Sequence, residues 1–348
     1  MDLLQYPTWV NLLIFSLAAV SLWLSGVKLS CASDAIGEKT RFGRAFFGLI
    51  FLAGATSLPE VATTVTAALS NKPLLAINNL FGGITMQTAI LAFADATITH
   101  GPITWVAPSI SLLLQGVILI LMIGLTLGAA STGNMPLIGT VGFWPTFLFV
   151  SYVCFLYLLR SYDESNSWKP VDIPVISDGL IGDSSNNHYL SWTLRKLIIS
   201  FTLSSILVLI SGVASTFAAE AIATQTGLGS SFVGATLLAS TTSLPEVSTT
   251  IAAVRIGSYS MAVSNIFGSN LLMIALLFPC DIFYREGVIT EHIGQSEIFI
   301  LSVGIVVTAC YLIGLVERRN RMFLRMGHDS VAVIICYLTS LVALYYMR

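Results

Sequence analysis

The sequence predicts an all-α polytopic membrane protein: ten transmembrane helices arranged as two inverted five-helix repeats. Three observations lead there. Of 348 residues, 55% are hydrophobic and 10% charged, against roughly 25% charged in a soluble domain, and the mean hydropathy is +0.85. Ten apolar runs approach the roughly 20 residues that cross a hydrocarbon core. They lie near 10–27, 44–69, 74–94, 103–127, 137–159, 195–219, 230–254, 260–279, 294–316 and 330–347. Finally, a shift of 186 residues superposes 25–101 on 211–287 without a gap, with 29 of 77 positions identical.

The first run follows Asp2 with no basic residue before it and no small-x-small cleavage pattern after it, so it reads as a retained span. The basic residues then set an orientation. If both chain ends lie on one side, 13 of the 16 Lys and Arg residues fall on the other, among them Lys39, Arg44, Arg160, Lys196, Arg255 and the cluster Arg318, Arg319, Arg321 and Arg325. The positive-inside rule makes that side cytoplasmic and puts both termini outside, in a cell membrane, plasma or inner. The arginine cluster reads as a topology determinant that touches anionic headgroups. Cys31, Cys154, Cys280, Cys310 and Cys336 have no metal-ligand spacing and read as small packing residues.

Each repeat holds five spans, an odd number, so the second copy enters the membrane from the opposite face. Inverted repeats with broken helices at matching places are a construction of secondary transporters, with the site at the midplane between the halves. The chain divides into residues 1–160, a polar linker 161–192 and residues 193–348. The linker is short and lacks EF-hand spacing.

The second and seventh spans contain Thr56-Ser57-Leu58-Pro59-Glu60 and Thr242-Ser243-Leu244-Pro245-Glu246. Each proline lacks the N–H that would bond to the carbonyl four residues back, Ala55 or Thr241, so the helix opens there. Each glutamate then needs partners, because an ionised carboxylate near the bilayer centre costs at least about 2.5 kcal/mol. Thr56, Glu60 and Thr63 or Thr64 share a helix face, and Thr242, Glu246 and Thr249 or Thr250 repeat it. Two facing stripes of hydroxyl, carbonyl and carboxylate oxygen suit a hard cation such as calcium or sodium. The alternative, protonated glutamates that merely bridge kinked helices, is weakened by the duplication.

The third and eighth spans carry Asn79-Leu-Phe-Gly-Gly83-Ile-Thr-Met-Gln87 and Asn265-Ile-Phe-Gly-Ser269-Asn-Leu-Leu-Met273. Small residues let these helices approach others closely. Asn79, Gly83 and Gln87 stack at intervals of four, as do Asn265, Ser269 and Met273. Asn78 and Asn270 read equally well as plain interhelical hydrogen bonders.

At these residues the chain resembles the cation/calcium exchanger superfamily, whose two alpha-repeats carry Gly-Thr-Ser-Leu-Pro-Glu and then Gly-Asn-x-x-Gly-Ser. The resemblance implies antiport by alternating access, commonly sodium in against calcium out. It implies Glu60 and Glu246 as cation ligands, with Thr56, Ser57, Thr242 and Ser243 lining the sites. The backbone carbonyls of Ala53 and Ala239, the Ser269 hydroxyl and the Gln87 amide oxygen complete the expected set.

Three positions depart from the family pattern. Members of the sodium/calcium branch place Asn or Asp where this chain has Gln87 and Met273, and serine where it has Gly83. A thioether is a poor ligand for a hard cation. The expectation is one cation site fewer per cycle. The runner-up is a cation/proton antiporter in which the same glutamates exchange protons and cations, as carboxylates in apolar surroundings readily do.

Asp34, Glu220, Asp95 and Asp281 are expected to be solvated span ends, with the lining of an ion access path as the alternative. No HExxH or GxSxG motif occurs, and His100, His188, His292 and His328 fall in loops or at span ends, which argues against an enzyme. A passive channel fits paired broken helices less well than occlusion and rocking. The expected partners are inorganic cations and membrane lipid. No cofactor, nucleic acid or protein partner is expected.

Overall fold

The computed structural model describes residues 3–40, 47–96, 101–107, 109–133, 135–138, 141–165, 188–226, 235, 239–319, 322–323 and 326–347. Most of the expected linker (166–187) lies outside them, as do His100, Arg41, Arg44, Arg321, Arg325 and the side chain of Glu220. Eight helices among the described residues are long and apolar enough to cross a membrane alone, and one bent pair makes a ninth crossing. The expected seventh span is described only at Ala235 and from Ala239 onward.

Two long helices frame the molecule. Helix α1 (Thr8–Lys39) has 32 residues and its repeat mate has 33, roughly 48 Å each at 1.5 Å per residue. That exceeds a hydrocarbon core of about 30 Å. They pack against each other along their length, and their outer faces expose Leu13, Leu17, Val20, Ile206 and Ile210 to lipid.

Between them lies the broken pair α2 (Gly48–Thr56) and α3 (Leu58–Leu69), bent by 53°. Helix α4 (Pro73–Asp95) follows. The expected fourth span is split into α5 (Ile103–Val106) and α6 (Ile110–Thr132). Ala107 is extended at φ −77°, ψ 104°, the conformation that the following Pro108 imposes on its predecessor. Helix α7 (Phe143–Ser165) ends the first half, entered through the hairpin β1 (Pro136–Ile138) and β2 (Val141–Gly142).

The second half repeats the plan. It comprises α8 (Leu194–Thr226), α9 (Ala239–Thr242), α10 (Leu244–Arg255), α11 (Tyr259–Ala275), α12 (Leu277–Phe283), α13 (Gln295–Glu317) and α14 (His328–Met347). The hairpin β3 (Met322–Phe323) and β4 (Met326–Gly327) precedes α14 as β1 and β2 precede α7. The eighth span breaks after Ala275, whose carbonyl Pro279 cannot serve.

The halves interlock. Helix α11 packs on α2, while α4 packs on α9 and α10. Glycine permits both crossings: a Cβ on Gly82 would stand 2.6 Å from the Ala235 backbone, and one on Gly268 would collide with the Leu49 carbonyl. Helix α1 meets α10 through Gly26 against Pro245 and Ser248, and α8 meets α3 through Gly212 against Pro59.

The acidic span ends are not solvated. Asp34, Asp95 and Asp281 are buried. Asp95 accepts the Ile103 N–H at 2.6 Å on one oxygen and the Gly327 N–H at 2.7 Å on the other. Asp281 accepts the N–H groups of Ile289 and Gly142, both at 2.6 Å. Chain turning back into the protein leaves N–H groups of the following turns without partners, and these carboxylates satisfy them. Each ties the end of a central helix to the next connection and to the hairpin before α14 or α7.

Candidate cation site

The Ser-Leu-Pro-Glu turns do what the missing proline N–H requires. Helix α2 stops at Thr56, Ser57 turns at φ −84°, ψ 9°, and α3 starts with Pro59 in its first turn. Ser243 repeats this at φ −81°, ψ 2°, with Pro245 in the first turn of α10. Glu60 and Glu246 thereby occupy the first turns of new helices, where the positive end of the helix dipole favours a carboxylate.

Thr56, Ser57, Glu60, Gln87, Thr242, Ser243, Glu246, Ser269 and Met273 are all fully buried. Ser57 Oγ donates to Glu246 Oε1 at 3.4 Å across the repeat boundary, and Ser269 Oγ reaches the same oxygen at 3.4 Å. Thr56 lies beside Glu246 and Thr242 beside Glu60, each across the repeat boundary. The threonine protons are directed elsewhere: Thr56 Oγ1 donates to the Ala53 carbonyl at 3.2 Å and Thr242 Oγ1 to that of Ala239 at 3.3 Å. Their lone pairs stay free to face the centre. Ala53 and Ala239 also accept the N–H groups of Ser57 and Ser243, both at 3.0 Å.

Several buried oxygens lack partners. Both carboxylate oxygens of Glu60, Oε2 of Glu246, Oγ of Ser243 and both amide atoms of Gln87 make no hydrogen bond. Each orphaned polar atom costs about 1–3 kcal/mol, more when charged. The two carboxylates also lie within electrostatic reach of each other. Yet residues 47–69, 73–95, 239–254 and 259–283, which build the centre, contain no Lys, Arg or His. Compensating positive charge must be brought in.

Among these buried polar residues Met273 brings a thioether. A Cβ on Gly83 would stand 2.6 Å from Met273 Cε and 2.8 Å from Sδ, so the thioether fills the space beside the glycine. Spacing alone missed this fit; the signal was there in two departures of opposite size, a side chain lost at 83 and a long one gained at 273. Asn79 accepts from Thr242 Oγ1 at 3.4 Å, and Asn265 donates to Thr249 at 3.1 Å. Asn78 and Asn270 are interhelical bonders, to Glu297 at 2.7 Å and to Thr88 at 3.2 Å.

Two inverted halves, each broken at a Ser-Leu-Pro-Glu turn and bringing its glutamate to a shared buried centre, define a secondary transporter of cations. The profile of the family described as sodium/calcium exchanger protein matches residues 10–160 and 196–346, and the chain belongs to that family. The fold resembles solved structures of the sodium-calcium exchanger NCX_Mj. One, soaked with 2.5 mM Na+ and 0.1 mM Sr2+, has a TM-score of 0.70 at 15% identity over 97% of this chain and 99% of that one. Another, with zero Na+ and Ca2+, has a TM-score of 0.67 at 17% identity over the whole of both chains. A protein of Alkalimonas amylolytica named as an antiporter, CaxA, is 24% identical over 292 residues, 83% of this chain and 85% of its own length. The chain is thus a multi-pass membrane antiporter of cations, not an enzyme.

Proposed function

We propose sodium/calcium exchange by alternating access, with ions held between the repeats by Glu60 and Glu246. Thr56, Ser57, Thr242, Ser243, Ser269, the Gln87 amide oxygen and the Ala53 and Ala239 carbonyls complete the shell. The observation that carries this reading is the set of partnerless carboxylate oxygens on Glu60 and Glu246 in a buried centre whose segments supply no cation. Two carboxylates balance one divalent charge, and hydroxyl and carbonyl oxygen is the ligand chemistry that hard cations take. Sodium accepts a similar, smaller set. Met273 leaves one ligand position without oxygen, so fewer ions bind per cycle.

The arginine-rich end is cytoplasmic on this reading, with both termini outside. The units are residues 1–160 and 193–348, joined by 161–192.

The second reading is exchange of a cation against protons at the same glutamates, favoured by the thioether where a further oxygen ligand would stand. Calcium uptake into proteoliposomes separates the two. Uptake that requires internal sodium and fails with potassium supports sodium coupling. Uptake driven by a pH jump with no sodium present replaces it with proton coupling.

A further inference from the structure

The 186-residue offset that relates the repeats matches Gly83 to Ser269 and Gln87 to Met273. Within α4 and within α11 the two residues lie about one turn apart. Across the interface the four make two corresponding pairs, and the pairs are used differently. In the first, the Met273 thioether fills the space beside Gly83. In the second, Ser269 and Gln87 are not hydrogen-bonded to each other. Both amide atoms of Gln87 are buried without a hydrogen bond among the described residues, while Ser269 Oγ is turned to Glu246 Oε1 at 3.4 Å.

The same one-sidedness holds at the broken helices. Ser57 Oγ donates to Glu246 Oε1 at 3.4 Å, but its counterpart Ser243 has a buried Oγ with no partner, and neither oxygen of Glu60 accepts a hydrogen bond. In this arrangement Glu246 collects hydroxyls and Glu60 does not.

Inverted repeats are related by a pseudo-two-fold axis in the membrane plane, and access alternates as one repeat rocks against the other. The state open to the opposite face is therefore reached when each repeat takes up the arrangement that the other has now. Applied to these residues, the exchange gives Glu60 the Ser243 hydroxyl and brings Ser269 and Gln87 together as Gly83 and Met273 are now. The buried groups of Ser243 and Gln87, costly to leave unbonded, find their partners there. Glutamine and methionine side chains are nearly equal in length, so Gln87 reaches as far as Met273 does. The end of a glutamine can turn to meet a serine hydroxyl, whereas a thioether gains nothing from one.

We infer that Ser269 and Gln87 form a switch in the ion shell: both offer oxygen to the cation in the arrangement described, and they bind each other in the opposite-facing one. Their places are then taken by Gly83 and Met273, whose side chains bring no oxygen. The shell has two oxygens fewer on that side of the cycle, a large part of the six to eight that calcium takes. Calcium is thus held more tightly from one face of the membrane than from the other. The inference rests on the exchange proposed above and adds that its two faces are unequal.

The test measures sodium-driven calcium uptake by the full chain in right-side-out and inside-out membrane vesicles, with the membrane potential collapsed. The half-maximal calcium concentration should differ between the two faces roughly tenfold or more, the scale of one lost bond to a charged group. Ser269→Ala and Gln87→Met each take one oxygen from the tighter state, so each should raise the value at the tighter face and narrow the ratio. Both substitutions nearly conserve volume and should fold, which thermal unfolding checks. Equal values at the two faces of the unaltered protein, or a ratio unchanged in the folded variants, overturns the switch and leaves exchange standing. Absence of sodium-driven uptake at both faces overturns the exchange reading, and the switch with it.

Discussion

Met273 Sδ stands 2.8 Å from the place where a Cβ on Gly83 would be, so the two residues form one fit across the interface of α4 and α11. Where the family pattern has a hydroxyl and an amide or carboxylate, this chain has a glycine and the thioether that fills the space beside it. The exchange explains why neither departure from the repeat pattern makes sense alone. A serine at 83 would strike the sulfur, and a short polar residue at 273 would leave a hole beside the glycine.

Gly83→Ser should therefore destabilise the protein by about 1–3 kcal/mol, the usual range for overpacking. Adding Met273→Ala should restore part of that loss, giving a coupling of about 0.5–3 kcal/mol between contacting sites. Thermal unfolding of the two single variants and the double variant in detergent measures it. Additive losses would mean that the two side chains do not compete for space.

Met273→Asp places an oxygen ligand where the thioether lies. Apparent affinity for calcium should rise, read as the concentration for half-maximal uptake at fixed sodium. An unchanged value would show that residue 273 lies outside the ion shell.

The paired staples make a symmetric prediction. Asp95→Asn and Asp281→Asn each turn one acceptor of a buried N–H group into a donor, at a cost of about 1–3 kcal/mol. Because both carboxylates bond the corresponding position of the next connection, Ile103 and Ile289, the two losses should be alike. The half-maximal calcium concentration should stay constant in both, since neither residue belongs to the ion shell. A selective rise in that concentration would return these residues to the access path.

Gly212 lies on Pro59, beside the turn that carries Glu60, whereas a Cβ on Gly54 meets nothing within 4 Å. Gly212→Ala should push α8 from α3 and lower both stability and transport rate. Gly54→Ala should be neutral or slightly stabilising, as replacing an interior helical glycine usually is. Equal behaviour of the two variants would remove the close approach from the account.

The repeats were legible because apolar length and a gapless internal match are properties of the chain alone. So were the two breaks, since proline acts on its own helix through a missing N–H. What was not legible depends on contacts between halves. Asp95 and Asp281 looked like solvated ends because their partners, the N–H groups of Gly327 and Gly142, are 232 and 139 residues away. The crossing of Ser57 to Glu246 is likewise invisible without knowing how the repeats face each other. Length also misled locally: a continuous apolar run over 103–127 hid the interruption before Pro108.

The central claim is that Glu60 and Glu246 together hold the transported cation. Uptake of radiolabelled calcium into sodium-loaded proteoliposomes should be lost in the Glu60→Gln, Glu246→Gln double variant, with thermal unfolding confirming that the protein is folded. Sodium-driven uptake by that folded variant at the rate of the unaltered protein would contradict it.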